Sequence, residues 1–110
     1  MVERLNKKEA LIRAKDEIER AEEELEVAKI LQKKEFYYKS IASAYYAVYH
    51  SAKSLLLLKG VDPKTHEGVE RMFGMYYIKT GEFNIKIGKA IGRLLKLPLE
   101  KGGFSLIPSF

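Results

Sequence analysis

The sequence predicts an all-α protein, an antiparallel four-helix up-and-down bundle. Three observations carry that prediction. Apolar residues recur at spacings of three and four through four successive segments. The breaks between the later segments fall at Gly60 to Pro63 and at Thr80-Gly81, where turn residues stop a helix. No stretch shows the sustained apolar and polar alternation of a half-buried strand. With 110 residues there is room for one domain and one core.

The first segment runs from about Asn6 to Gln32. Asn6 is a helix cap, with Glu9 three positions on as the second half of a capping-box-like pair. Leu11, Ala14, Ile18, Ala21, Leu25 and Ala28 follow as a heptad stripe of alternating large and small residues, suited to close packing on another helix. Glu9–Arg13 and Asp16–Arg20 are four-apart ion pairs. Glu22, Glu23, Glu24 and Glu26 read as a solvated face rather than a carboxylate metal site. The second segment, about Glu35 to Lys59, turns Tyr38, Ile41, Ala42, Tyr45, Val48, Tyr49, Ala52, Leu55 and Leu56 to one broad side. The third starts near Thr65 and carries Val69, Met72, Phe73, Tyr76 and Tyr77. The fourth runs from about Phe83 to Lys96, with Ile87, Ile91, Leu94 and Leu95 inward. Residues 1–97 thus form the bundle.

Residues 98–110 differ in character. Pro98, Gly102, Gly103 and Pro108 break any helix, yet Leu99, Phe104, Leu106, Ile107 and Phe110 are apolar. Free in water they would make an apolar patch that monomers seldom expose. An irregular tail packed in a groove of the bundle is expected.

Composition removes several chemistries. Without cysteine there is no disulfide framework, thiolate nucleophile or thiol-ligated metal. Two histidines, His50 and His66, do not make a histidine-rich metal site, and no phosphate-binding glycine loop or nucleophile triad is present. No metal and no cofactor are expected. The charged N-terminus is unlike a signal peptide, and the longest aliphatic run, Leu55 to Leu58, is too short for a bilayer. A soluble, cytoplasmic protein without membrane contact is expected. Residues 1–35 hold nine bases and ten acids, whereas residues 36–110 hold eleven bases and five acids, a net of +6. That excess lies with the aromatic residues, where it can meet phosphate or simply form a Lys-rich surface.

The second segment holds the candidate chemistry. Six aromatic residues fall between Phe36 and Tyr49, more phenols than a core needs. Tyr46 and His50 are four apart, as are Tyr49 and Lys53, so each pair shares a face. Imidazole, ammonium and phenol groups on neighbouring strips can hold phosphate and stack on a base, and His50 can move a proton near neutral pH. The residues alone equally allow tyrosines that bury their rings and hydrogen-bond outward.

The run Ser40-Ile41-Ala42-Ser43-Ala44-Tyr45-Tyr46-Ala47-Val48-Tyr49-His50-Ser51-Ala52 resembles the central helix of the HEPN family, where Ala-Tyr-Tyr-Ala precedes an aromatic-His pair. Gly60, Thr65-His66-Glu67-Gly68-Val69, Phe73 and Lys79-Thr80-Gly81 resemble the second stretch of that family. The resemblance implies a dimeric HEPN-like bundle, often encoded beside a minimal nucleotidyltransferase, and in many members a metal-independent ribonuclease. It also makes His66 a wall of the site near His50.

Two departures shape the expectation. Active ribonucleases of the family carry an arginine shortly before the helix histidine, and the corresponding positions here are Ser43, Ala44 and Tyr45. His50 remains as a candidate catalytic base, but the cation that complements a phosphorane-like transition state is absent. Family members also continue into a further long helix, here missing or replaced by the tail. The leading expectation is therefore a HEPN-type nucleotide- or RNA-binding module with a degenerate ribonuclease motif. It would be a homodimer, and the partner of a minimal nucleotidyltransferase in a toxin–antitoxin-like pair. Its binding residues would be Ser43, Tyr46, Tyr49, Lys53 and His66. The alternatives are an active ribonuclease using His50 and a purely structural helical dimerisation subunit.

Overall fold

The computed structural model describes residues 2–4, 6–82, 86, 89–91 and 93. Helix α1 spans Lys7–Lys33 and helix α2 spans Tyr37–Leu58. Two three-residue strands, β1 (Val2–Arg4) and β2 (Val61–Pro63), pair antiparallel with Glu3 opposite Asp62. Such short strands leave no alternation to read in a sequence. Helix α3 (His66–Phe73) continues into a π-helical turn, Gly74–Ile78. Lys86, Lys89, Ala90, Ile91 and Arg93 are helical too, and are the part of the fourth segment that the structure describes. The fold is all-α and HEPN-like, as expected. The tail, 98–110, lies outside the described residues.

The caps explain the boundaries. Asn6 accepts the backbone N–H of Glu9 at 2.9 Å, and Thr65 accepts that of Gly68 at 2.9 Å, each satisfying a first-turn donor. Gly60, with φ of 76°, ends α2 in the left-handed conformation that favours glycine. Between α1 and α2 that conformation falls on Glu35 (φ 66°), so no glycine marks the turn. At Gly68 the need is close approach rather than φ: a Cβ there would lie 3.1 Å from both Pro63 Cβ and Thr65 Oγ1.

Helices α1 and α2 run antiparallel, since contacts pair Ala28 with Ser40, Glu17 with His50 and Ala14 with Ser54. The Ser40 and Ser54 hydroxyls donate to the Ala28 and Ala14 carbonyls at 2.8 Å, which needs close backbones. The seam is accordingly made of Ala10, Ala14, Ala21 and Ala28, all buried. The expected stripe is thus half right. Leu11 (56% exposed), Ile18 (39%) and Leu25 (47%) stay outside, because a seam this tight has no room for them. Tyr38 and Ile41, expected inward on α2, are exposed as well. Ile18 and Leu25 line an apolar groove of about 470 Å³ with Ala44, Ala47, Ser51 and Ile91. The main core lies on the other side of α2, where Ala52 and Leu56 meet Val69, Phe73 and Tyr77. The Tyr77 hydroxyl donates to the Leu55 carbonyl and ties the π-helical turn to α2.

A buried carboxylate clasps α1 to the ribbon. Asp62 is fully buried, and its Oδ2 accepts from Arg13 Nη1 at 2.5 Å and Lys64 Nζ at 2.9 Å. Arg13 therefore serves Asp62, not the local pair expected with Glu9, while Asp16–Arg20 forms at 3.4 Å. Burial pushes the Asp62 carboxyl up, but the hydrogen bonds from Lys64 and Arg13 outweigh it, and the net shift is below the ordinary 3.8. A depressed carboxyl stabilises the fold above its unfolded-state value, and the contribution fades as pH falls through the folded-state value. Arg13→Ala is expected to cost about 1.5–3 kcal/mol, the range for hydrogen bonds to charged groups. Urea unfolding should show that loss at neutral pH and a smaller difference from the parent in acid, below about pH 3.8.

Candidate functional site

Two surfaces of α2 meet other elements near its middle. One strip of α2, with His50 and Lys53, faces α1 at Glu17, and Tyr46 lies one turn before His50. The adjacent strip, with Tyr45 and Tyr49, faces the start of α3 at His66. The Thr65 cap fixes where α3 begins and so sets His66 over α2.

His50 Nδ1 lies 2.6 Å from Glu17 Oε1, and Lys53 Nζ lies 4.0 Å from Glu17 Oε2. Glu17 is 8% exposed and sits in the alanine seam between Ala14 and Ala21. The Tyr49 ring packs edge-on to His50 with centroids 5.3 Å apart, and Tyr46 is tilted beside it at 6.5 Å. On the other side Tyr49 stacks on His66 at 4.2 Å with planes 16° apart. The Tyr45 hydroxyl and His66 Nδ1 are 3.2 Å apart.

Electrostatics divide the roles. Burial, then the neighbouring Lys53 and His50 side chains, hold His66 below the ordinary histidine value of 6.5. It is a neutral ring at pH 7, fit to stack and to accept from Tyr45 rather than to bind an anion by charge. Burial, then the negative charges of Glu17 and Asp62, push the Tyr49 phenol up, so it stays protonated. What the cluster offers is one imidazole fixed at Nδ1, one ammonium and flat aromatic faces. Among the described residues no group of three His, Asp or Glu side chains is placed to hold a metal.

The structure brings together five of the six expected residues: Tyr46, Tyr49, His50, Lys53 and His66. Ser43 shares the His50 strip but stands two turns away, roughly 10 Å along the axis, and does not reach the imidazole. Glu17 was not among the expected residues. Its signal was legible in principle, because it lies three after Ala14 and four before Ala21, a carboxylate within a small-residue register. Following the large residues instead put Ile18 in that place.

The HEPN domain family model matches residues 14–100. The chain is 46% identical over 80 residues to the Methanocaldococcus jannaschii protein named "Putative toxin MJ0605", covering 73% of this chain and 60% of that protein. It is 50% identical over 60 residues to the UPF0332 protein PH1297 of Pyrococcus horikoshii, covering 54% and 42% respectively. A UPF0332 protein of Thermotoga maritima is 36% identical over 77 residues, covering 70% and 58%. The chain thus spans between about two fifths and three fifths of these relatives. No solved structure matches it. No helix among the described residues is long and apolar enough to cross a membrane. With a matching helix motif, bundle and family model, the chain belongs to the HEPN domain family.

Proposed function

We propose that this HEPN-type module binds nucleotide or RNA as a homodimer and partners a minimal nucleotidyltransferase in a toxin–antitoxin-like pair. The observation that carries the reading is the single cluster joining His50 and Lys53 to the faces of Tyr46, Tyr49 and His66. Bases stack on aromatic faces whatever their identity, and an ammonium beside them takes the phosphate. The net +6 of residues 36–110 favours the same ligand. Two relatives from Methanocaldococcus jannaschii carry the word toxin in their names, which supports the paired context. Pairing of copies has its own support. Ile18 and Leu25 stand exposed on α1, and Ala47 and Ser51 line the groove beside them. The dimer would turn the two His50 residues toward one shared cleft.

One observation favours an active ribonuclease as the second reading: the Glu17 carboxylate on His50 Nδ1 is how an enzyme holds an acid–base imidazole. Against it stands the missing arginine, since losing a group that complements developing charge costs about 10²–10³ in rate.

Analytical ultracentrifugation with a fluorescent single-stranded RNA tests the binding and the pairing of copies. The expected result is a dimer at micromolar protein that carries the RNA, less tightly as salt rises. Tyr46→Ala should weaken binding by about 1–3 kcal/mol, the worth of one base–aromatic stack. A monomer that leaves the RNA free would overturn the proposal. Robust metal-free cleavage lost in His50→Ala would move the function to the ribonuclease.

A further inference from the structure

We infer that Glu17 is a positioning residue that fixes the tautomer of His50 and thereby makes the site read ribose hydroxyls. This rests on the reading that His50 faces the ligand. An ionised carboxylate can only accept, so in the 2.6 Å contact the proton sits on His50 Nδ1. With that proton on Nδ1, the neutral form of the ring carries its lone pair on Nε2, at the edge away from Glu17. Free histidine prefers the other tautomer, so the carboxylate sets the form.

Three features hold the arrangement. Lys53 stands 4.0 Å from the second carboxylate oxygen, so Glu17 is engaged on both sides. Tyr46 and Tyr49 flank the imidazole and limit its rotation. The seam around Glu17 is otherwise alanine, where a buried carboxylate costs free energy and packing alone has no use for it. A ring presenting an acceptor at Nε2 recognises a donor. A phosphodiester oxygen offers none, whereas the ribose 2′-hydroxyl does, and that group distinguishes RNA from DNA. Lys53 answers to the phosphate, and His50 to the sugar.

The test uses the full chain with ¹⁵N-labelled histidine, at a pH where the spectra themselves show each ring carrying one proton. Long-range ¹H–¹⁵N spectra report which nitrogen carries the proton, and His66→Gln assigns the two rings. The Nδ1–H form is expected for His50 in the parent and in Glu17→Gln, whose amide oxygen still accepts. The Nε2–H form is expected in Glu17→Ala. Paired titrations with single-stranded RNA and DNA of one sequence should show the parent preferring RNA roughly three- to tenfold, the worth of one hydrogen bond. Glu17→Ala should lose that preference while Glu17→Gln keeps it. An Nε2–H tautomer in the parent, or a preference unchanged in a folded Glu17→Ala, overturns the inference. If the tautomer responds as expected but neither nucleic acid binds, the assignment of Glu17 to His50 stands while the nucleic-acid reading and its ribose step fail.

Discussion

Phe73→Ala is expected to destabilise the protein by about 3–5 kcal/mol, the usual cost of emptying a buried aromatic site. The ring is 1% exposed, stacks on Tyr77 with centroids 5.5 Å apart, and closes the core formed by Ala52, Leu56 and Val69. Small domains are stable by only about 5–15 kcal/mol, so one side chain holds much of the margin. The reason lies in the architecture. The α1–α2 seam is built from alanines and buries little area per residue, which leaves the large apolar contacts to the α2–α3 side. Urea unfolding should show a lower midpoint with an unchanged slope. The effect should also reach the site, because Phe73 and Val69 hold α3 against α2 and α3 carries His66. Ring-current shifts from the Tyr49–His66 stack should weaken in a partly destabilised Phe73→Leu. A midpoint within experimental error of the parent would mean that the core lies elsewhere.

The elements were legible wherever the chain spends a dedicated residue on them. Asn6, Gly60 and Thr65 mark helix ends through side-chain oxygens or a left-handed φ, and all three sit where expected. The α1–α2 turn uses Glu35 at positive φ, so the break showed only as a lapse in periodicity. The inward face of α1 was misjudged because large residues dominate any reading of apolar period. In a tight helix pair the small ones are inside, and Leu11, Ile18 and Leu25 become the rim. The His50 side of the site could be read because its residues share one helix, where spacing alone fixes the face. Glu17 could not be paired with His50 in the same way. Their contact spans 33 positions and depends on the antiparallel register of α1 and α2, which no local pattern states.

Ser43→Arg is expected to raise metal-free cleavage of single-stranded RNA by about 10²–10³, the factor lost when a charge-complementing group is removed. The parent should cleave poorly or not at all. It has an imidazole held by Glu17 and an ammonium at Lys53, but Ser43, Ala44 and Tyr45 stand where the family's arginine would bind a phosphorane's equatorial oxygens in two places. The geometry also ranks the candidate positions. Ser43 is seven residues before His50, close to two full turns, so an arginine there rises on the strip that carries Tyr46 and His50. Ala44 is turned about 100° from it and lines the apolar groove with Ala47 and Ser51. Ala44→Arg would place its charge on the surface proposed for dimer contact, on a different strip of α2 from its own His50. Tyr45 is buried and engages His66 through its hydroxyl, so Tyr45→Arg would damage the fold before it helped the chemistry. Cleavage of a fluorescent oligonucleotide in chelator should therefore rise for Ser43→Arg and return to the parent level in Ser43→Arg with His50→Ala. If Ala44→Arg proves the better enzyme, the cation belongs on the groove side, supplied across the dimer rather than along the helix. If neither variant gains activity while both bind RNA, more than the arginine separates this chain from the ribonucleases of its family.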